Sequence, residues 1–163
     1  KTFARSRGLH STGMWLFTTY GPWGRPDMAL TRFADALWDG SPLFLRGHGA
    51  MERDFTYVED TAATIASLIG LPPTDRSAPA RVVNVGTGRP GSVREVAMLL
   101  ARHMGQTPRL VETPAEPGEV LGTWACVEQL GSLGAVVPQT PLEQGVKRFA
   151  QWYSTYRTHC ETG

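Results

Sequence analysis

A chain of 163 residues with 41% hydrophobic side chains can bury one core of its own, so one ordinary globular domain is expected. Sixteen Lys and Arg against fifteen Asp and Glu leave a formal charge of +1, which argues against a nucleic-acid or membrane partner and requires any anion to be held by local charges. Cys126 and Cys160 show neither C-x-x-C nor zinc spacing, no signal-peptide pattern opens the chain, and no apolar run nears the ~20 residues of a membrane span, so a reducing, cytoplasmic location is the default.

The chain opens at Lys1, not Met, and Lys1 to Gly8 reads as the tail of a helix, as in a truncated, processed or excerpted polypeptide. Ser11 to Gly13 reads as a turn before the apolar run Met14-Trp15-Leu16-Phe17, a buried strand ending at a loop from Thr18 to Asp27. Loops at strand ends are where α/β proteins place chemistry. Leu30, Phe33, Ala34, Leu37 and Trp38 fall at helical spacing, which predicts an amphipathic helix over Ala29 to Trp38, stopped by Gly40 and Pro42. Leu43 to Leu45 and Asp54 to Val58 are predicted strands. Asp60 can cap a helix through Ile65, Leu68 and Ile69 that stops at Gly70 and Pro72-Pro73. A polar loop, Thr74 to Ala80, precedes a β-branched strand, Arg81 to Val85. Ser92 and Glu95 form a capping box that opens a helix to Met104, closed by Gly105, and Arg109 to Glu112 reads as a strand. Thr140-Pro141-Leu142-Glu143 repeats the capping logic for a C-terminal helix whose apolar face holds Val146, Phe149, Trp152, Tyr153 and Tyr156.

Gly86-x-Gly88-x-x-Gly91 follows a strand, opens a helix and has Glu112 about 21 positions after Gly91, so by spacing it satisfies the dinucleotide fingerprint. The Ser92 cap already satisfies the first helical amides, which leaves less need for a pyrophosphate there. A strand-to-helix turn is the preferred reading, with a small Rossmann-like binding module as the alternative. Among single residues, Arg53 could clamp a diphosphate in bidentate fashion or pair with Asp54 or Glu52. Cys126 reads as a buried small hydrophobe, and His10, His48, His103 and His159 form no ligand pair.

Two segments carry more: Thr18-Thr19-Tyr20-Gly21-Pro22-Trp23-Gly24-Arg25-Pro26-Asp27-Met28-Ala29, and Arg53-Asp54-Phe55-Thr56-Tyr57-Val58-Glu59-Asp60. Together they resemble the substrate-binding half of nucleotide-sugar epimerases of the extended short-chain dehydrogenase/reductase family, most closely the branch that acts on UDP-glucuronate at C4. The resemblance runs from Gly13 to Tyr156 and implies an α/β fold, the C-terminal substrate-binding domain with the last strands of a Rossmann sheet. It implies a UDP-sugar as ligand, NAD as cofactor of the complete enzyme, and interconversion of UDP-glucuronate and UDP-galacturonate by C4 oxidation and reduction. The family's Gly-rich NAD loop and Tyr-x-x-x-Lys pair precede these segments and do not occur in these residues, the nearest spacing being Tyr153 and Arg157. The N-terminal NAD-binding half is therefore expected to be absent, no catalytic residue is assigned, and the isolated chain is expected to be inactive. A non-catalytic sugar-nucleotide or dinucleotide binding module is the alternative.

Position by position, the resemblance implies that Arg53 meets the diphosphate, Thr18 the reacting part of the hexuronic acid and Arg25 its carboxylate. Holding that carboxylate makes chemical sense, because a 4-keto uronic acid is a β-keto acid that otherwise loses carbon dioxide. Asp27, Met28 and Ala29 match a helix start whose amides meet the nucleotide, and Phe17 matches a residue close to the nicotinamide. Arg46 stands where an aromatic commonly packs near uracil, a place a guanidinium plane could also take. Glu119, within Glu116-Pro117-Gly118-Glu119-Val120, matches a segment near ribose and phosphate. Trp15 in place of an Arg and Cys126 in place of an Asp depart from the family pattern. Met14 to Phe17 and Arg81 to Val85 are expected to expose apolar surface that the missing half, or a homo-oligomer, would cover.

Overall fold

The computed structural model describes residues 2–74 and 79–161, so most of the expected Thr74 to Ala80 loop lies outside the described residues. In chain order the elements are α1 (Thr2–Arg7), β1 (Ser11–Leu16), β2 (Thr18–Tyr20), α2 (Ala29–Trp38), β3 (Leu43–Arg46), β4 (Glu52–Arg53), β5 (Phe55–Tyr57) and α3 (Val58–Ile69). There follow β6 (Ala80–Val85), β7 (Gly91–Ser92), α4 (Val93–His103), β8 (Leu110–Thr113), β9 (Gly122–Thr123), α5 (Glu128–Ser132) and α6 (Leu142–Glu161). Strands pair in parallel as β1 with β6, β2 with β5 and β3 with β8, while β4 lies between antiparallel β7 and parallel β9. Parallel partners distant in sequence need crossovers, and the helices supply them, which makes the architecture α/β as expected. No helix among the described residues is long and apolar enough to cross a membrane.

The helices follow their apolar spacing. Leu30, Phe33, Ala34 and Leu37 of α2 are buried, and α4 buries Val96, Ala97, Leu100 and Ala101 with the Ser92 hydroxyl accepting from the Glu95 amide at 3.0 Å. On α6, Val146, Phe149, Ala150 and Tyr153 complete the same core. Gly145 lets α6 approach β2. A Cβ there would lie 2.9 Å from Cζ of buried Tyr20 and 3.2 Å from the Tyr57 ring, closer still to the Tyr20 hydroxyl. That hydroxyl donates to the Leu142 carbonyl at 3.3 Å, and burial, its main cause, pushes the Tyr20 pKa well above the ordinary phenol value. Gly145→Ala is therefore expected to lower unfolding stability by ~1–3 kcal/mol through overpacking; an unchanged denaturation midpoint would contradict this packing.

Several expectations are corrected. Ser11 to Gly13 is not a turn but the start of β1, because its backbone pairs with Ala80 to Val82. Thr18 to Tyr20 is not loop but a strand, held by parallel pairing to Phe55–Tyr57. The segment Asp54 to Val58 divides: Asp54 separates β4 from β5, and Val58 already opens α3. Asp60 is not the cap of α3, whose N-cap is Tyr57. The Asp60 carboxylate instead accepts from the Gln139 and Thr140 amides, at 2.9 and 2.7 Å, and from the Thr140 hydroxyl at 2.8 Å, fastening the approach to α6. Cys126 is exposed, not buried. The run Met14 to Phe17 is not buried as a whole: Trp15 is 70% exposed and Leu16 and Val82 are also exposed, whereas Val83 and Val85 of the partner strand are buried. Apolar surface thus lies open at Trp15 and Val82 on one face of the β1–β6 pair, while the other face buries Val83 and Val85 and is open only at Leu16, the end of β1.

Candidate functional site

A cleft of about 480 Å³ opens where the end of β2 leads into α2 and where β3, β4 and β5 present their neighbouring side chains. Thr18, Thr19 and Tyr20 line it from β2, and Met28, Ala29 and Arg32 from the start of α2. Phe44 and Arg46 of β3 face it, as do Met51, Arg53 and Phe55. Phe33 and Phe149 form part of its apolar floor. Apolar walls with a few converging polar groups are the usual make-up of a small-molecule site.

The connection from β2 to α2 is a sharp loop. Gly21 takes φ +145°, and a Cβ there would press within 3.1 Å of the Val58 side chain. Trp23 adopts φ +61°, a left-handed conformation costly for a large side chain, and its ring packs edge-on against Trp152 and Tyr156 of α6 at 5.4 and 5.6 Å. The loop is thereby tied to the C-terminal helix. Met28, the N-cap of α2, makes no side-chain cap and no acidic residue follows in the first turn, so this end presents amides and a positive dipole beside the cleft.

Of the residues singled out in sequence, Thr18, Met28, Ala29, Arg46 and Arg53 line the cleft, and Phe17, Arg25, Asp27 and Glu119 do not. Arg25 and Asp27 grip one another in a two-point ion pair at the exposed surface, so Arg25 points to its own loop. That pairing holds the Asp27 carboxyl below its ordinary pKa. Arg46 pairs with Glu116 at 3.0 Å and reaches Glu119 at 3.8 Å. The other Glu119 oxygen accepts from the Glu116 amide at 2.8 Å and closes the turn between them. Phe17 is half-buried between β1 and β2, its amide bonded to the Val85 carbonyl at 3.2 Å.

Arg53 differs from these charges. It donates to the Glu52 carbonyl at 2.7 Å and contacts the Met51 sulfur at 3.8 Å, both neutral acceptors, and has no carboxylate partner among the described residues. The pairing with Asp54 that sequence allowed does not form, because that carboxylate is fully buried and occupied elsewhere. Oδ1 of Asp54 accepts from the Thr87 amide at 2.8 Å, the Thr87 hydroxyl at 2.7 Å and the Thr56 hydroxyl at 3.2 Å. Oδ2 accepts from the Gly88 amide at 2.9 Å and the Ala125 amide at 3.0 Å.

This arrangement decides what the glycine-rich segment does. The Thr87 and Gly88 amides, which a dinucleotide fingerprint would aim at a pyrophosphate, are spent on an internal carboxylate, and a Cβ at Gly86 would sit 2.6 Å from Asp54 Oδ2. The segment is a strand-to-helix turn. Its residues do not fit the pyrophosphate of NAD.

Tyr153 and Arg157 likewise form no acid/base pair for catalysis. The Tyr153 hydroxyl is held by Asp35 and approached by Arg157 at 3.3 Å, with Arg157 also bonded to Asp35 and Asp39 at 3.2 and 2.9 Å. Burial first, then the Asp35 contact, pushes the phenol pKa well above its ordinary value, opposite to what proton transfer near neutrality requires. The network fastens α6 to α2. Sequence reasoning missed Arg32, Phe44 and Met51 on the cleft wall and the role of Asp54. The alternation of buried Leu43 and Leu45 with exposed Phe44 and Arg46 was the available signal for Phe44.

The NAD dependent epimerase/dehydratase family model matches residues 1–86, and the chain belongs to that family. It is 36% identical over 166 residues to the "Probable UDP-glucuronate 4-epimerase" of Rhizobium meliloti (strain 1021), covering 93% of this chain and 49% of that protein. Among solved structures, MoeE5 in complex with UDP-glucuronic acid and NAD is 34% identical with a TM-score of 0.75, over 90% of this chain and 47% of that one. The UDP-glucuronic acid 4-epimerase from Bacillus cereus, in complex with UDP-glucuronic acid and NAD, superposes with a TM-score of 0.83 over 95% of this chain and 48% of that one; at 24% identity it speaks to the fold alone. The chain spans about half the length of the curated relatives it matches.

Proposed function

We propose that this chain supplies the UDP-sugar-binding half of an NAD-dependent UDP-glucuronate 4-epimerase, which interconverts UDP-glucuronate and UDP-galacturonate. One observation carries the reading: Arg53, free of any carboxylate among the described residues, stands on the same cleft as the uncapped start of α2. A guanidinium fork and a helix N-terminus are the two devices that hold a diphosphate best. The relatives named above, which act on or bind UDP-glucuronate, support the choice of nucleotide and sugar.

The remaining positions take roles within this reading. Ala29 offers its amide to the diphosphate, while the Met28 amide is held by the Arg25 carbonyl at 3.2 Å, and the Thr18 hydroxyl, without a bond among the described residues, faces the sugar. Arg25 reaches the sugar carboxylate only by leaving Asp27, so its part in binding requires the Gly21 to Met28 loop to rearrange. Arg46 and Glu119 stand at the rim toward ribose and base, and Phe17 lies toward the nicotinamide. The pyrophosphate of NAD must be held by residues outside this chain, and so must the proton-transfer pair. The open face with Trp15 and Val82 is where that second half docks.

The test is an assay with UDP-glucuronate and NAD. The chain alone should form no UDP-galacturonate, and a preparation that joins it to an NAD-binding half should form it. Product from the chain alone would contradict the division of labour, and no product from the joined preparation would contradict the epimerase assignment.

A further inference from the structure

Trp23 occupies a backbone position that its side chain makes costly. The Gly24 amide donates to the Gly21 carbonyl at 3.2 Å, which closes a four-residue turn with Pro22 second and Trp23 third. The pyrrolidine ring fixes a negative φ at Pro22. Trp23 follows at φ +61°, the left-handed third position of a type II turn, which glycine ordinarily fills. Burial does not explain a tryptophan there, because the residue stays 77% exposed. What the ring gains is contact with α6: it meets Trp152 and Tyr156 edge-on at 5.4 and 5.6 Å, and those two rings stack on each other at 5.3 Å.

The turn stands directly before the ion-paired Arg25. Gly21 and Gly24 line the cleft, whereas Trp23, Trp152 and Tyr156 do not. Arg25 follows Gly24, and a second turn, with Pro26 inside it, closes from the Met28 amide to the Arg25 carbonyl at 3.2 Å. The span from Trp23 to the start of α2 is therefore short and stiffened by proline, fixed at one end by the ring contacts and at the other by the helix. Within it the Arg25–Asp27 pair is exposed on both sides, and an exposed pair of this kind holds weakly. A carboxylate at the cleft mouth can displace Asp27, provided that Arg25 is kept within reach.

We infer that Trp23 is a positioning residue: its clamp on Trp152 and Tyr156 anchors the β2–α2 loop while Arg25 swings from Asp27 to the carboxylate of a bound uronic acid. The clamp thereby sets the preference of the site for a carboxylated sugar over a neutral one. This rests on the proposed role of Arg25 at the sugar carboxylate. The loop is anchored before the ligand arrives, so less freedom is lost on binding. Because Trp23 stands outside the cleft, it acts on the acid through Arg25 and leaves the binding of a neutral nucleotide sugar unchanged.

UDP-glucuronate and UDP-glucose titrated separately into wild type, Trp23→Gly, Trp23→Phe and Tyr156→Ala test it, with a thermal melt of each variant. Wild type should prefer UDP-glucuronate. Trp23→Gly suits the left-handed position and discards the ring, so the turn should persist. Its UDP-glucuronate affinity should fall by about fivefold while its UDP-glucose affinity holds within about twofold. Trp23→Phe, which keeps a ring, should retain most of the preference. Tyr156→Ala alters α6 and leaves the loop sequence intact; it should lose part of the preference, which a merely local role of Trp23 in its turn would not produce, and it decides the case alone if Trp23→Gly does not fold. If wild type prefers UDP-glucuronate and the folded variants keep that preference, or lose affinity for both sugars alike, the clamp is wrong and the nucleotide-sugar reading stands. If wild type binds both sugars equally, Arg25 reads no carboxylate and the clamp falls with the choice of glucuronate. If wild type binds neither, the reading of the cleft falls with them.

Discussion

Asp54→Ala is expected to lower the stability of this chain by ~3–5 kcal/mol, because it strips a buried anion from its donors and leaves them buried without acceptors. The carboxylate is fully buried and accepts five hydrogen bonds, three of them from the amides of Thr87, Gly88 and Ala125. The Asp54 backbone extends the same junction: its carbonyl accepts from the Thr18 amide at 3.0 Å and its own amide donates to Thr123 at 2.9 Å. One residue thus joins β2, the turn after β6 and the segment after β9, and its loss is a large fraction of the ~5–15 kcal/mol that holds a typical domain together. Asp54→Asn should recover only part of the loss, since an amide offers one acceptor oxygen and turns two N–H groups toward backbone donors. Urea unfolding reads both variants. A midpoint for Asp54→Ala within error of wild type would remove Asp54 as the organising anion.

Arg53→Ala is expected to act on binding and leave the fold in place. Among the described residues its guanidinium makes only neutral contacts, so truncation strands no buried partner, while a ligand diphosphate loses a charge-assisted contact of ~1.5–3 kcal/mol, roughly tenfold or more in affinity. The wild-type affinity should also weaken as salt rises and that of Arg53→Ala should weaken less, since the removed interaction is between charges near the surface. Equal salt dependence in the two proteins would place the diphosphate elsewhere.

Much of this was legible in the sequence, for identifiable reasons. The helices α2, α4 and α6 declare themselves through local information, apolar residues three and four apart and a Ser-x-x-Glu box, and local information is what a sequence displays. The strand Thr18 to Tyr20 does not show in sequence because its three residues have no periodicity of their own; pairing with Phe55 to Tyr57 makes the strand. Asp60 looks like a cap because a carboxylate in the first turn of a helix usually serves that helix, yet its acceptors are claimed by Gln139 and Thr140 some 80 residues away. Arg53 and the helix start at Met28 were found because the two quoted segments are long and specific, and both lie on the cleft. Arg25 was named in the same way, but its partner Asp27 sits two residues away and takes it at the surface. The spacing of Gly86, Gly88 and Gly91 could not reveal that its amides serve Asp54, a residue more than thirty positions upstream.

Calorimetric titration of UDP-glucuronate and of NAD into wild type, Arg53→Ala and Gly88→Ala measures directly whether Arg53 or the glycine-rich turn holds the phosphates. Gly88 has φ +70° and its amide donates to Asp54, so Gly88→Ala is a disturbance of the turn and is to be titrated under conditions where it remains folded. The account predicts that UDP-glucuronate binds wild type and folded Gly88→Ala alike, that Arg53→Ala loses about tenfold or more, and that NAD binds none of the three. Binding of NAD to wild type that is lost in folded Gly88→Ala, with Arg53→Ala indistinguishable from wild type toward both ligands, would contradict it.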